Sequence, residues 1–290
     1  MADQPRASSV RLPTHEVGLL EWGPETGELI VALHGFPDTA WTWRHVAPLL
    51  VADGYRVVAP FLRGYAPSGL PGDYSVRALV QDAVALHELL GGTATTPLLG
   101  HDWGAITAGA LAAEPSSPYG RAIALAVPPL AWLNPRRPTI GPWLGAVVRQ
   151  PLHSWYILAN QIPGLSEGRF ELLARRLWRL WSPGYDAAED LEHLRSAVPD
   201  RAHAKAVVSY YRSAHRSGID TALAEPTVPL LSLQGDRDGC LDPRFFKVVQ
   251  PRAVPPSRAA LVSQAGHFLQ LEQPTAVAGH ILDFLRTTGT

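Results

Sequence analysis

Residues 98–105 read LLGHDWGA. Two leucines close an apolar run, Gly100 and Gly104 stand two positions to either side of Asp102, and helical spacing begins at Ala105. A tight turn that thrusts one side chain outward needs neighbours without bulk, which the two glycines supply. Working outward from this point, short apolar runs alternate with longer amphipathic ones. Residues 28–35, 55–60, 96–101, 121–127, 228–235 and 258–263 have the length and apolarity of buried parallel strands. Residues 41–52, 75–91, 103–114 and 272–286 carry helical spacing between them. The pattern predicts a doubly wound α/β fold.

The alternation breaks after Val127 and resumes at Val228, with Pro and Trp frequent between. Residues 1–128 and 226–290 therefore read as two parts of one core, and 129–225 as a helical insertion, because the strands after it are needed to complete the sheet. Within the insertion Phe170, Leu173, Leu177 and Trp181 recur at three- or four-residue steps, with Arg175, Arg176 and Arg179 off that face. This is the signature of a helix packed against the core.

Composition bounds the function. At 46% hydrophobic, 290 residues bury a large core. A formal net charge of -1 supplies no field to hold nucleic acid or an anionic membrane. Cys240 is the single cysteine, which excludes an internal disulfide and fits a reducing compartment. The opening MADQPRASSVRLPTHE lacks the apolar centre of a signal peptide, and no uncharged apolar run reaches the roughly 18 residues of a membrane span. The expectation is a cytoplasmic protein, monomer or homodimer, with no membrane or nucleic-acid partner. Neither metal-ligand spacing nor a glycine-rich phosphate loop is evident, so no metal and no cofactor are expected.

The chemistry starts at Asp102. GHDWG has the strand, sharp turn and helix context of a nucleophile elbow, G-x-S-x-G, with aspartate replacing serine. The competing reading is an ordinary helix N-cap. Companions decide between them. HGFPDTAWTWR (34–44) ends an apolar strand, and the backbone N–H groups of Phe36 and Trp103 would form an oxyanion hole beside Asp102. Pro37 stands in a turn of the kind where cis proline concentrates. LSLQGDRDGC (231–240) offers two candidate acids, Asp236 and Asp238, with Asp236 the better turn residue. SQAGHFLQLEQP (263–274) places His267 in a loop between the last strand and the last helix. The order nucleophile, acid, histidine matches a known hydrolytic triad.

These segments, with RGYAPSG (63–69), stand in the order and at the spacing of the α/β-hydrolases, and the chain resembles their soluble epoxide hydrolase branch over nearly its full length. The resemblance implies an eight-stranded, mostly parallel sheet with an inserted helical cap, and a triad of Asp102, Asp238 and His267. Phe61 and Ala66 stand where relatives usually carry Asp and Gly. That departure bears on the wall of the pocket more than on catalysis.

An aspartate suits attack at saturated carbon. A carboxylate is ionised near neutral pH, needs no base, and can displace a leaving group from behind to form an alkyl ester on the enzyme. His267, oriented by Asp238, would then activate the water that hydrolyses the ester. The leaving group separates an epoxide hydrolase from a haloalkane dehalogenase: an alkoxide needs a proton, a halide only dipoles. HSWYILANQIPG (153–164) and VVSYYRSAHRSG (207–218) resemble the two tyrosine regions of epoxide hydrolases. The first implies Tyr156. In the second, helical spacing does not choose between Tyr210 and Tyr211, and the family's Tyr-Arg pair implies Tyr211 before Arg212. The runner-up reading is a haloalkane dehalogenase using the same nucleophile; a non-catalytic ligand receptor on this fold would show a broken triad. His34, Pro37, Trp41 and Trp155 are the expected pocket residues, and a small apolar epoxide plus water the expected substrates.

Overall fold

A computed structural model describes residues 4–213 and 218–288. Eight strands form one sheet: β1 (Arg6–Arg11), β2 (Glu16–Trp22), β3 (Glu28–Leu33), β4 (Tyr55–Pro60), β5 (Pro97–His101), β6 (Arg121–Leu125), β7 (Leu230–Gly235) and β8 (Arg258–Val262). Their order is β1-β2-β4-β3-β5-β6-β7-β8. Pairs β1/β2 and β2/β4 are antiparallel and all others parallel. The six strands expected from apolar runs are all present. β1 and β2 are not in that set. β1, RASSVR, is an edge strand whose exposed and half-buried residues alternate, so it has no apolar run to betray it. Backbone pairing to β2 and bonds such as Ser8 Oγ to Glu21 Oε1 (2.5 Å) hold it.

The helices expected over 75–91 and 103–114 are present within two residues of those bounds. α1 (Ala47–Val51) is shorter than the expected 41–52, because a 3₁₀ turn over Ala40–Trp43 precedes it and Pro48 occupies its first turn, where no N–H donor is needed. α2 spans Val76–Leu89, capped by the Ser75 hydroxyl, and α3 spans Trp103–Ala113. Every residue of α3 except Ile106 is buried, and its run of Ala and Gly lets it lie close against β5 and β6.

Between β6 and β7 the described residues form helices and no strand: α4 (Ile140–Val147), α5 (Gln150–His153), α6 (Trp155–Gln161), α7 (Phe170–Trp181), α8 (Ala188–Ala197), α9 (Arg201–Ser213) and α10 (Ile219–Ala222). α7 buries Phe170, Ala174, Leu177, Trp178 and Trp181, with Leu173 half-buried and the three arginines exposed, as its spacing predicts. Trp178 is the addition. It lies flat on Phe268 at 3.5 Å between ring centroids and donates its indole N–H to the Pro37 carbonyl (2.8 Å), joining the excursion to the core. A second joint is ionic: Arg44 meets Asp190 of α8 at 2.6 Å, with both side chains nearly or wholly buried. The chain closes with α11 (Phe246–Val249), α12 (Leu269–Glu272) and α13 (Pro274–Thr288). The helix expected over 272–286 is α13, opened by Pro274, and α12 is a separate short turn ahead of it. No helix among the described residues is long and apolar enough to cross a membrane.

Candidate active site

Parallel strands β3, β5, β7 and β8 end at one edge of the sheet, and β3 and β5 flank the point where the strand order reverses, the usual place for a ligand crevice in such sheets. Asp102 follows β5 directly, at φ 51° and ψ −111°. That backbone is strained for a side-chain-bearing residue and aims the carboxylate out of the turn. The flanking glycines are steric necessities: a methyl group on Gly100 would overlap the Gly104 carbonyl, and one on Gly104 would overlap the Leu33 carbonyl. The N–H of Phe36 donates to Asp102 Oδ1 at 2.8 Å, and the Phe36–Pro37 peptide is cis. Trp103 begins α3 immediately beyond.

His267 and Asp238 converge on this carboxylate. Nδ1 of His267 lies 3.1 Å from Asp238 Oδ2, and its Nε2 lies 3.6 Å from Asp102 Oδ2. Asp238 Oδ1 accepts the backbone N–H groups of Cys240 (2.7 Å) and Leu241 (3.1 Å). The Trp181 carbonyl accepts both the Gly239 and the His267 N–H, so α7 ties the acid and base loops together. Asp236 lies outside the cluster: its carboxylate accepts the Ala265 N–H at 3.3 Å, bracing the histidine loop. All three clustered side chains are buried. Burial opposes charge on His267, but Asp238 and Asp102 outweigh it and push the imidazole up to about 10.

A cavity of about 350 Å³ opens on Asp102 and Trp103. Ile106, Leu130, Ile157, Ile219 and Phe245 give it apolar walls, and Gln150 and Ser154 are its few polar groups besides the tyrosines. Tyr156 of α6 and Tyr211 of α9 border it from the excursion, their rings 5.4 Å apart and edge to face. Tyr156 Oη lies 3.5 Å from Cys240 Sγ. The Tyr211 hydroxyl is buried without a hydrogen-bond partner among the described residues. Burial, then the neighbouring Cys240 and Asp102, holds both phenols well above the ordinary range, so both are protonated at neutral pH. Tyr210 points elsewhere and donates to the Arg63 carbonyl at 2.6 Å. Residues 214–217 of the second tyrosine motif lie outside the described residues.

None of the four residues expected in the pocket borders this cavity. His34 is fully buried, bonded through Nδ1 to the Gly35 carbonyl and through Nε2 to the Leu62 N–H, so its polar atoms are already satisfied. Pro37 spends its carbonyl on Trp178. Trp41 stacks on His193 at 4.5 Å, and Trp155 packs under the Arg176 guanidinium at 4.8 Å. Both tryptophans face away because their neighbours in sequence, not they, occupy the inward side. Phe61 and Ala66 serve the frame: the Phe61 N–H bonds Gly18, and the Ala66 N–H bonds the Ala197 carbonyl at the end of α8. Two groups at the site escaped the sequence reading. Cys240 stands two residues beyond Asp238, and Gln150 bonds the Cys240 carbonyl (2.7 Å) and the Asp242 N–H (3.0 Å), latching α5 to the acid loop.

A family model described as the alpha/beta hydrolase fold matches residues 28–274. The chain belongs to the α/β-hydrolase family. This α/β hydrolase is 29% identical to epoxide hydrolase A of Mycobacterium tuberculosis, over 92% of this chain and 93% of that protein. It is 28% identical to the AB hydrolase superfamily protein YfhM of Bacillus subtilis, covering 91% and 92% of the two chains. Among solved structures, epoxide hydrolase A of Mycobacterium thermoresistibile superposes with a TM-score of 0.76 at 29% identity, covering 97% and 98%. The structure of VrEH1 from Vigna radiata gives 0.79 at 24% identity, covering 99% of each chain, a likeness of fold.

Proposed function

We propose that this hydrolase opens small apolar epoxides with water, through an alkyl ester on Asp102, beneath a cap formed by residues 129–225. The observation that carries the reading is the pairing across one cavity of a carboxylate, backed by His267 and Asp238, with two protonated phenols, Tyr156 and Tyr211. One side of an epoxide carbon then meets a nucleophile, and its oxygen meets acids able to supply a proton.

In the first step an Asp102 oxygen bonds the epoxide carbon, the ring C–O bond breaks, and the electron pair left on oxygen takes a proton from a tyrosine hydroxyl. Oδ1 is turned toward the Phe36 N–H, so Oδ2, beside His267, is the attacking atom. Esterification removes the charge of Asp102. One of the two carboxylates that hold the imidazole proton is then gone, so that proton leaves more readily and passes through water to the tyrosinate, leaving a neutral imidazole when a base is needed. It takes a proton from water, which attacks the ester carbonyl, while the N–H groups of Phe36 and Trp103 hold the developing charge on Oδ1. On collapse the expelled substrate oxygen takes the proton from His267 to give the diol, and the acid proton left on Asp102 passes to the imidazole, restoring the carboxylate and its resting partner.

One turnover in heavy-oxygen water, with enzyme in excess, tests the covalent step. The first diol should carry no solvent label; labelled product refutes the ester. Parallel assays with styrene oxide and a bromoalkane separate the leaving groups, and bromide without diol would make the protein a dehalogenase.

A further inference from the structure

We propose that Asp102, Cys240 and His267 form a site for one Zn²⁺ ion, through Oδ2, Sγ and Nε2. The three residues are buried, and their ligand atoms all lie within 4.8 Å of one another. The Oδ2 to Nε2 edge is 3.6 Å. Zinc bonds of about 2.0 Å to nitrogen and oxygen and about 2.3 Å to sulfur, at tetrahedral angles, separate ligand atoms by about 3.3–3.5 Å. One edge therefore fits almost as it stands, and the others close with side-chain shifts of about an ångström or less.

Further features point to a cation rather than to chance proximity. Nε2 of His267 is buried and has no hydrogen-bond partner among the described residues, so a lone pair is available once its proton leaves. The opposite nitrogen faces Asp238 at 3.1 Å, which is the carboxylate–histidine arrangement that orients imidazoles for zinc. Tyr156, 3.5 Å from Sγ, can donate its O–H to a bound thiolate, and the acid-loop bonds from Cys240 and Leu241 to Asp238 fix where the thiol sits. The adjoining cavity leaves the fourth zinc position to water. On binding, the thiol proton and any proton on Nε2 pass to solvent, and no oxidation occurs.

The site consumes the proposed nucleophile and base, so zinc would be an inhibitor competing with substrate. That consequence rests on the proposed function, while the binding does not. Cobalt(II) is the probe for binding. Cys240 is the only cysteine, so a thiolate-to-cobalt charge-transfer band reports this site alone. Chelator-treated full-length protein should develop the band to saturation at one cobalt per chain, and lose it to one equivalent of zinc. Asp102→Asn should weaken cobalt binding more than ~10-fold with the band still reached at high metal, and Cys240→Ala should show no band. Thermal unfolding without metal identifies any variant that fails to fold. No charge-transfer band in the wild-type protein overturns the site, and so does equal affinity in a folded Asp102→Asn protein. Epoxide turnover with added zinc is a separate arm. A protein that binds cobalt in this way but turns over no epoxide sinks the functional reading and leaves the metal site standing.

Discussion

The loops at the strand ends and the two tyrosines facing them are built in opposite ways. On the core side each functional group is bound several times over. Asp102 has the Phe36 N–H on Oδ1, Asp238 has two backbone N–H groups, and the His267 loop is fixed by the carbonyl of Trp181 and by His101, whose Nε2 meets the His267 carbonyl at 3.0 Å. On the helical side, among the described residues, Tyr211 has no hydrogen-bond partner for its hydroxyl and Tyr156 has only a sulfur. In the proposed reaction the groups that hold one geometry are thus fixed by backbone, and the groups assigned to give a proton to the substrate oxygen are the ones left unsatisfied.

That contrast can be broken at several levels. Asp102→Asn removes the nucleophile, and diol formation should fall at least ~10⁴-fold, read by steady-state assay. The same variant removes the charge of Asp102 and keeps that of Asp238 beside His267, so the ring should titrate below about 10, measurable by NMR of the imidazole. His267→Gln should slow turnover by ~10²–10⁴-fold while leaving the first step intact, so substrate mass should appear on the protein. Tyr156→Phe and Tyr211→Phe should each slow ring opening about 10-fold or more, with the pair of changes far worse. In that case it is formation of the ester, seen in a rapid-mixing burst, that fails. Full activity in the double variant would show that the open phenols are packing groups after all.

Stability should respond to the joints between the two regions. Arg44→Ala leaves the buried Asp190 with the Tyr185 hydroxyl (2.9 Å) as its side-chain partner among the described residues and should cost about 3–5 kcal/mol in denaturant unfolding. Activity in the folded fraction should change far less. Stability should also depend on pH. The folded-state value of His267, about 10, exceeds its ordinary 6.5, so protonated His267 stabilises the fold fully below about pH 6.5 and that gain is lost as pH rises through about 10. Comparing Tm against pH for wild type and His267→Gln isolates the contribution.

Six of the strands, the sharp turn at Asp102 and the helical stretch between β6 and β7 were legible because each is a local pattern. Apolar runs mark buried strands, and GHDWG requires its two glycines wherever the turn forms. Helical spacing did not separate Tyr211 from Tyr210, since adjacent helical residues merely point about 100° apart; the resemblance implied Tyr211, and in the structure Tyr210 turns to the Arg63 carbonyl while Tyr211 borders the cavity. Expected pocket residues His34, Pro37, Trp41 and Trp155 went astray for the same reason, since aromatic character does not say which way a side chain faces. Edge strand β1 was hidden by its polarity.

By itself, then, the sequence determined the order of the strands' apolar runs, the carboxylate in a strained turn, and a histidine and acid in late loops, because those depend on residues within a few positions of each other. Only the tertiary structure decided that Cys240 joins Asp102 and His267, and that Ile106, Ile157, Ile219 and Phe245 wall the cavity. Those neighbours come from four or more separate elements, and sheet register and helix packing, not spacing along the chain, set the distance between them.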